Sequence, residues 1–187
     1  MRLVNKLVLG TMKLKKYFNN SKDLSIFLDY AHSKGIRQIH LSNEYNSYNL
    51  VKKSLERIKQ KKFSYILKLA EPKTDKSNFN LKRFKKKFFK YRKDLGLKNN
   101  YTLQLVNRYH CNNINDYLVN QQLIFDKIKK TIIKLRKFKM INDFYFFPYH
   151  KDKTKIKKRG FIDGITCYRN INQKNYDDFA KKITLKL

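Results

Sequence analysis

The sequence predicts an α/β fold in which about six parallel strands alternate with helices. Three observations lead to this expectation. Apolar stretches of strand length recur along the 187 residues, segments with apolar residues at helical spacing lie between most of them, and glycine or proline marks several junctions. Near-continuous apolar strands are typical of parallel sheets that are covered on both faces. The length corresponds to a single domain over residues 1–187.

The first half of the chain contains three predicted strands. Residues 3–12 include an apolar run that ends at Gly10, which predicts a strand followed by a loop. Ser21 is predicted to cap the first helix, and Gly35 is predicted to end it in the left-handed conformation. The remaining elements of this half are strands at 36–42 and 63–69 and a helix at 49–60.

The second half begins with a strongly basic helix, predicted at residues 80–95. Its apolar residues, including Phe84, Phe88 and Tyr91, recur at i, i+3 and i+4, and lysines and arginines occupy most positions between them. This pattern predicts a buried stripe and a basic outer face, and Gly96 is predicted to end the helix. The other predicted elements are strands at 101–107, 143–147 and 161–168 and helices at 116–137 and 175–182.

The charge of the chain is the first feature that bears on function. It carries 45 Lys and Arg residues against 14 Asp and Glu residues, a formal net charge of +31. The surplus is mostly lysine and accompanies abundant Asn, Ile, Phe and Tyr, the residues that an AT-rich genome overproduces. The basic helix face is either simply solvated or a weak, salt-sensitive contact with nucleic-acid phosphates. Because no RNA-binding signature or zinc-finger spacing is present, nucleic-acid binding is the less favoured interpretation.

Several other classes of protein are disfavoured by the sequence. It has no run of about 18 apolar residues, so no membrane span is expected. The first residues are basic but no apolar signal region follows them, so no secretory signal is expected. Two cysteines, Cys111 and Cys167, and four scattered histidines do not have the spacing of a metal site. The expected location is the cytoplasm.

Two arrangements of these elements compete, a doubly wound open sheet and a (β/α)8 barrel. No Gly-x-Gly-x-x-Gly motif follows the first strand, which weakens the dinucleotide-binding open sheet. In a barrel, catalytic side chains lie at the carboxyl ends of the strands. The polar residues predicted at those ends include His40, Tyr45, Lys68, Gln104 and Asn107.

Tyr45 and Lys68 would form an acid–base pair if a barrel brings them together. A nearby ammonium favours the phenolate and therefore lowers the pKa of a tyrosine from about 10. Such a phenol can donate a proton to a carbonyl oxygen while a hydride reaches the carbon. No pair of carboxylates is predicted at the strand ends, so glycoside hydrolysis has no evident acid and base.

Two segments carry a resemblance to a known family. Residues 7–12 (LVLGTM) and 28–45 (LDYAHSKGIRQIHLSNEY) resemble the first-strand opening and the second helix-to-strand segment of the aldo-keto reductases. In that family the second segment runs from a helix through Gly and an apolar strand to Asp and then Tyr. The resemblance is strongest over 7–12 and 28–71. It implies that Tyr45 is the proton-donating tyrosine and Lys68 the catalytic lysine.

Three positions depart from the family pattern. His40 stands where the family has an Asp paired with the lysine, and a neutral imidazole does not replace that charge, whereas an imidazolium would repel Lys68. Asn107 stands where the family has the His that orients the carbonyl, and Asn can still donate a hydrogen bond to oxygen. Thr166 stands where a Gln helps to hold the nicotinamide. The implied catalytic set is Tyr45, Lys68, Asn107 and His40.

The resemblance also implies a cofactor and an architecture. Aldo-keto reductases use NADPH to reduce carbonyl compounds such as aldehydes and sugars. The implied cofactor contacts are Gly10, Thr11, Met12, Thr166 and Asn170. Because the sequence holds about six strand–helix units, the family's last two strands, which grip the adenosine phosphate, are expected to be absent. The expected fold is an incomplete (β/α)8 TIM-type barrel of about six βα units.

Four functions remain open at this point. The first is an NADPH-dependent reductase of a small carbonyl substrate. The second is a catalytically inactive remnant or a binding protein of the same fold. The third is one half of a split enzyme, in which a second chain completes the barrel, and the fourth is a basic nucleic-acid-binding protein. The expectation is aldo-keto-reductase membership without autonomous hydride transfer.

Overall fold

The structure is a computed structural model that describes residues 7–58, 63–70, 79–96, 101–109, 111–148 and 160–166. The strands within these ranges are β1 (Val8–Gly10), β2 (Gln38–Leu41), β3 (Ser64–Ala70), β4 (Tyr101–Asn107), β5 (Ile141–Pro148) and β6 (Gly164–Ile165). The α-helices are α1 (Ser21–Ser33), α2 (Tyr48–Arg57), α3 (Leu81–Asp94) and α4 (Ile114–Lys137). The predicted helix at 175–182 lies outside the described residues.

The strand order decides between the two predicted arrangements. All neighbouring strands are parallel, and they follow one another in the order β1-β2-β3-β4-β5-β6. A doubly wound sheet reverses its strand order at a switch point, and this sheet has no reversal. The six strands form a curled, incomplete TIM-type barrel, which confirms the predicted fold class. Within the described ranges, β1 and β6 do not pair with each other.

The two faces of the curled sheet differ in character, because side chains alternate between the faces along each strand. The outer face packs against the helices and forms the main hydrophobic core. This core includes Ile39, Leu67, Leu103 and Phe146 from strands and Leu28, Leu55, Phe88 and Ile128 from helices. On the inner face, Gln104 of β4 is the register partner of Lys68 on β3 and of Tyr145 on β5. Polar side chains of neighbouring strands therefore meet inside the sheet.

The helix ends show which sequence signals were informative. Asn20, rather than the predicted Ser21, caps α1, since its side-chain oxygen accepts a hydrogen bond from the backbone N–H of Asp23 at 2.9 Å. Asn113 caps α4 in a similar way, because its side-chain oxygen accepts a hydrogen bond from the backbone N–H of Asn115. Helix α4 therefore begins at Ile114, two residues before the predicted start. At the other ends the glycine predictions are confirmed. The positive-φ glycines are Gly35 (φ 92°) and Gly96 (φ 58°).

Helix α3 has the predicted buried stripe and basic outer face. Phe84, Phe88 and Tyr91 are buried, whereas most of the lysines between them are exposed. Its N-terminus is capped by Asn80, whose side chain accepts from the N–H of Arg83. Among the described helices, none is both long and apolar enough to cross a membrane.

Candidate active site at the carboxyl ends of the strands

A cavity of about 430 Å³ opens on the inner face of the sheet, near the carboxyl ends of the strands. Its volume lies in the range of small-molecule sites. It is lined by Val8, Gly10, Thr11, Met12, His40, Tyr45, Ile66, Lys68, Gln104, Tyr145, Phe147 and Thr166. The structure thus places in one cavity seven residues for which the sequence implies a catalytic or cofactor role: Gly10, Thr11, Met12, His40, Tyr45, Lys68 and Thr166.

Tyr45 and Lys68 contact each other in this cavity. Lys68 lies on the inner face of β3, and its Nζ atom lies 5.0 Å from the centre of the Tyr45 ring. Tyr45 is carried by the loop between β2 and α2, where its backbone N–H donates to the carbonyl of Ser42 at 3.1 Å. The arrangement is a cation–π contact, which is stronger when the cation is removed from water, and Lys68 is only 7% exposed.

A chain of hydrogen bonds runs from Tyr45 across the inner face. The Tyr45 hydroxyl lies 3.5 Å from Nδ1 of His40, and Nε2 of His40 lies 2.8 Å from Oε1 of Gln104. Gln104 in turn donates from Nε2 to the Thr166 hydroxyl at 2.9 Å. These hydrogen bonds therefore link the β2–α2 loop, β2, β4 and the residue that follows β6.

The environment of His40 favours the neutral imidazole. Burial lowers the pKa of His40 below its ordinary value, the hydrogen bond to Gln104 opposes this, and the charge of Lys68 lowers the pKa further. Because burial is the largest of these causes, the ring is uncharged at neutral pH. The repulsion expected between an imidazolium and Lys68 is thus avoided by the loss of the proton.

Lys68 is buried and lies within reach of the charges of both Arg108 and Glu44. Its burial lowers the pKa of the ammonium, the charge of Arg108 lowers it further, and Glu44 opposes both. Glu44 itself is paired with Arg108, whose Nη2 lies 2.8 Å from its carboxylate, and with the more distant Lys87 at 4.0 Å. Glu44 is therefore shared with two other cations, Arg108 and Lys87.

The loop after β1 is tied to β2. The Thr11 hydroxyl donates to the backbone carbonyl of His40 at 2.8 Å, and the Ser47 hydroxyl donates to the carbonyl of Thr11 at 2.6 Å. Thr11 thus holds the strand end that carries His40. Gly10 and Met12 flank it, and a methyl group added at Gly10 would meet nothing within 4 Å, so this part of the wall is open.

Asn107 lies apart from the cavity. Its Nδ2 donates to Oδ1 of Asn120 on α4 at 3.2 Å, and its Oδ1 accepts from the backbone N–H of Tyr109 at 3.1 Å. Side chains alternate between the two faces of a strand. Gln104 points to the inner face, so Asn107, three residues later, points to the outer face. The structure therefore brings Gln104, and not Asn107, to the cavity. The remaining implied cofactor residue, Asn170, lies outside the described residues.

One residue that supports the site was not assigned a role from the sequence. The buried Tyr91 hydroxyl donates to the carbonyl of Lys68 at 3.0 Å and accepts a hydrogen bond from the backbone N–H of Asn43. It joins the end of β3 to the loop that carries Tyr45. The apolar periodicity of α3 predicts only that Tyr91 is buried, because the partners of its hydroxyl are distant in sequence.

Comparison with known proteins finds the same fold in solved structures. No protein-family model and no curated protein sequence matches the chain. Solved structures match it, and two of them are each described as a "putative aldo-keto reductase" from Pseudomonas aeruginosa. One has 13% identity and a TM-score of 0.56, with 75% of this chain and 60% of that chain covered. The other has 15% identity and a TM-score of 0.56, with coverages of 75% and 54%. The chain therefore shares their fold and spans less than two thirds of their length.

Proposed function

We propose that this chain is a divergent member of the aldo-keto reductases, and that its cavity binds a small carbonyl compound to which Tyr45 donates a proton. The observation that carries the proposal is the contact between Lys68 and the Tyr45 ring, at 5.0 Å, inside a cavity at the carboxyl ends of the strands. When Tyr45 releases its proton, the ammonium of Lys68 stabilises the phenolate that remains.

The neighbours of Tyr45 have distinct roles in this proposal. His40 is a neutral acceptor that orients the Tyr45 hydroxyl through its Nδ1 atom, and Gln104 orients His40 through Nε2. The contact of 3.5 Å between the hydroxyl and Nδ1 is long, so the hydroxyl can turn towards a carbonyl oxygen at little cost. Hydrogen bonds at catalytic sites are often long before a substrate binds.

The cofactor of this reaction would be NADPH, which supplies the hydride when it is bound. Gly10, Met12 and Thr166 line the cavity and can contact a group of the size of nicotinamide. Among the described residues, the only cation that lines the cavity is Lys68, which lies at the phenol. The described residues therefore fit the ring end of NADPH and do not fit its phosphates.

Two alternatives follow from that mismatch. In the first, the chain binds a small molecule in the same fold and transfers no hydride. In the second, further strands supplied by a second chain complete the barrel, since β1 and β6 are unpaired with each other in the described part of the sheet. Both alternatives retain the cavity. The first differs from the reductase because it transfers no hydride, and the second differs because it requires a second chain.

The deciding experiment is a titration of the purified chain with NADPH, followed by nucleotide fluorescence, and then an assay of NADPH oxidation with short aldehydes and aldoses. Saturable binding and turnover that is lost in Tyr45→Phe would support the reductase. An absence of NADPH binding would contradict the reductase for this chain alone. Turnover that is unchanged in Tyr45→Phe would contradict the role of Tyr45.

A further inference from the structure

Positive charge is distributed unevenly among the described helices, and it is most concentrated on α3. Helix α3 holds eight lysines and arginines and one aspartate in 14 residues. Helix α4 holds six basic and two acidic residues in 24, and α1 holds one lysine and two aspartates. A lysine surplus that only reflected composition would raise all helices alike. The charge of α3 is therefore a local feature of this surface.

The positions of these charges along α3 are unfavourable for the helix itself. Its first turn contains Lys82 and Arg83 and no acid, although the N-terminus of a helix already carries partial positive charge. Lys82 and Lys86 are four residues apart, a spacing at which like charges repel. Within the described part of the chain, neither lysine forms an ion pair. An anionic partner would relieve this repulsion, which favours a binding surface over a purely solvated one.

An exposed aromatic ring lies in the middle of this basic surface. Phe89 is 48% exposed, whereas the other three aromatic residues of α3 are buried. Residues three and four positions apart are neighbours on the surface of a helix. The four such neighbours of Phe89 are all basic, namely Lys85, Lys86, Arg92 and Lys93. The ring is therefore surrounded by cations on the solvent side of the helix.

The combination of cations and one exposed ring limits the chemistry of the partner. Lys82, Lys86, Phe89 and Lys93 follow one another at intervals of four, three and four residues, so they form one stripe about 16 Å long. Single-stranded RNA offers phosphates to such lysines and unpaired bases that stack on aromatic rings. A duplex keeps its base faces within the stack. A membrane-surface helix inserts a broad apolar face, and the apolar stripe of α3 is buried in the core.

We propose that the outer face of α3 binds single-stranded RNA, with phosphates at Lys82, Lys86 and Lys93 and a base stacked on Phe89. The sequence alone left this face open between solvation and contact with nucleic acid, and the exposed ring among the lysines favours the contact. The stripe lies on the outside of the curled sheet, whereas the cavity opens on its inner face. This inference therefore goes beyond the function proposed above and does not depend on it.

The first test measures the contribution of the lysines. Fluorescence anisotropy follows the binding of a labelled oligouridylate of about 12 residues to the full chain from about 50 to 200 mM KCl. The double variant Lys82→Gln/Lys86→Gln is expected to bind about tenfold or more weakly at the lowest salt, with a salt slope reduced by about 1.4. Lys129→Gln/Lys130→Gln, at exposed positions of α4, removes the same charge and should change binding little. An equal loss in both double variants would overturn the assignment to α3.

The second test measures the contribution of the ring. Phe89→Ala is expected to weaken oligouridylate binding about fivefold or more without changing the salt slope, because stacking involves no charge. Phe138→Ala, at another exposed phenylalanine, is the matched control and should leave the affinity unchanged. Unchanged affinity in Phe89→Ala would overturn the proposal. So would an RNA duplex of equal length that binds as tightly as the single strand, or vesicles of phosphatidylserine that bind more tightly than either.

Discussion

Nε2 of His40 lies 2.8 Å from Oε1 of Gln104, across the inner face from β2 to β4. Gln104 donates from its own Nε2 to the Thr166 hydroxyl, so its carbonyl oxygen is the atom that faces the histidine. An amide oxygen only accepts hydrogen bonds, and the proton of the neutral ring therefore lies on Nε2. Nδ1 is then the acceptor for the Tyr45 hydroxyl, which lies 3.5 Å away.

The first prediction concerns the pairing of His40 with Gln104. In Gln104→Glu a carboxylate replaces the amide beside Nε2, and the negative charge favours the imidazolium. We expect the pKa of His40, followed by NMR titration, to rise by about 1 unit or more relative to the natural chain. Gln122→Glu, which adds the same charge on α4, should leave the pKa of His40 unchanged. A fall in the pKa of His40 in Gln104→Glu would contradict the observed pairing.

A second prediction concerns stability in mild acid. Burial lowers the pKa of His40 in the folded chain, whereas a histidine in the unfolded chain titrates near 6.5. Between these two values the unfolded chain binds one more proton, so the free energy of unfolding falls as the pH falls below about 6.5. Urea denaturation at pH 7.5 and pH 5 should show that the free energy of unfolding falls less in His40→Asn than in the natural chain. His32→Asn, on α1, is the matched control. A loss in His40→Asn as large as that of the natural chain would refute this contribution of His40.

The third prediction tests the proton donor. If the chain reduces carbonyl compounds, Tyr45→Phe should lower kcat by about 10²–10⁴-fold, the usual contribution of a general acid. Binding of the carbonyl compound should change much less, because the ring and its contact with Lys68 remain. Tyr30→Phe, at an exposed tyrosine of α1, is the control and should keep its activity. The measurement is the steady-state rate of NADPH oxidation in each variant.

The fourth prediction tests the support beneath the site. Tyr91→Phe leaves the carbonyl of Lys68 and the N–H of Asn43 without the hydroxyl that now joins them. We expect a loss of about 1–3 kcal/mol in the free energy of unfolding, the cost of unpaired buried polar groups. Tyr17→Phe, at an exposed tyrosine, should change stability little. Equal stability of Tyr91→Phe and the natural chain would show that the hydroxyl has no net effect.

Hydrophobic periodicity and the end signals of helices were enough to predict most elements. The strand at 101–107 has the predicted bounds, and α3 has the predicted buried stripe. These are local signals, because a strand or a helix buries residues at a spacing that its own backbone geometry imposes. The choice of Ser21 over Asn20 as a cap failed because both residue types suit that position. Only the backbone conformation of the structure distinguishes them.

The sequence by itself determined the alternation of strands and helices, the basic surface and the candidate pair Tyr45 and Lys68. Only the tertiary structure decided that the strands follow in unreversed order, that Gln104 faces the cavity while Asn107 packs against α4, and that Tyr91 holds the end of β3. The physical reason is distance along the chain. Periodicity reports which residues are buried, whereas the direction of a strand side chain and the partner of a buried hydroxyl depend on elements that are remote in sequence.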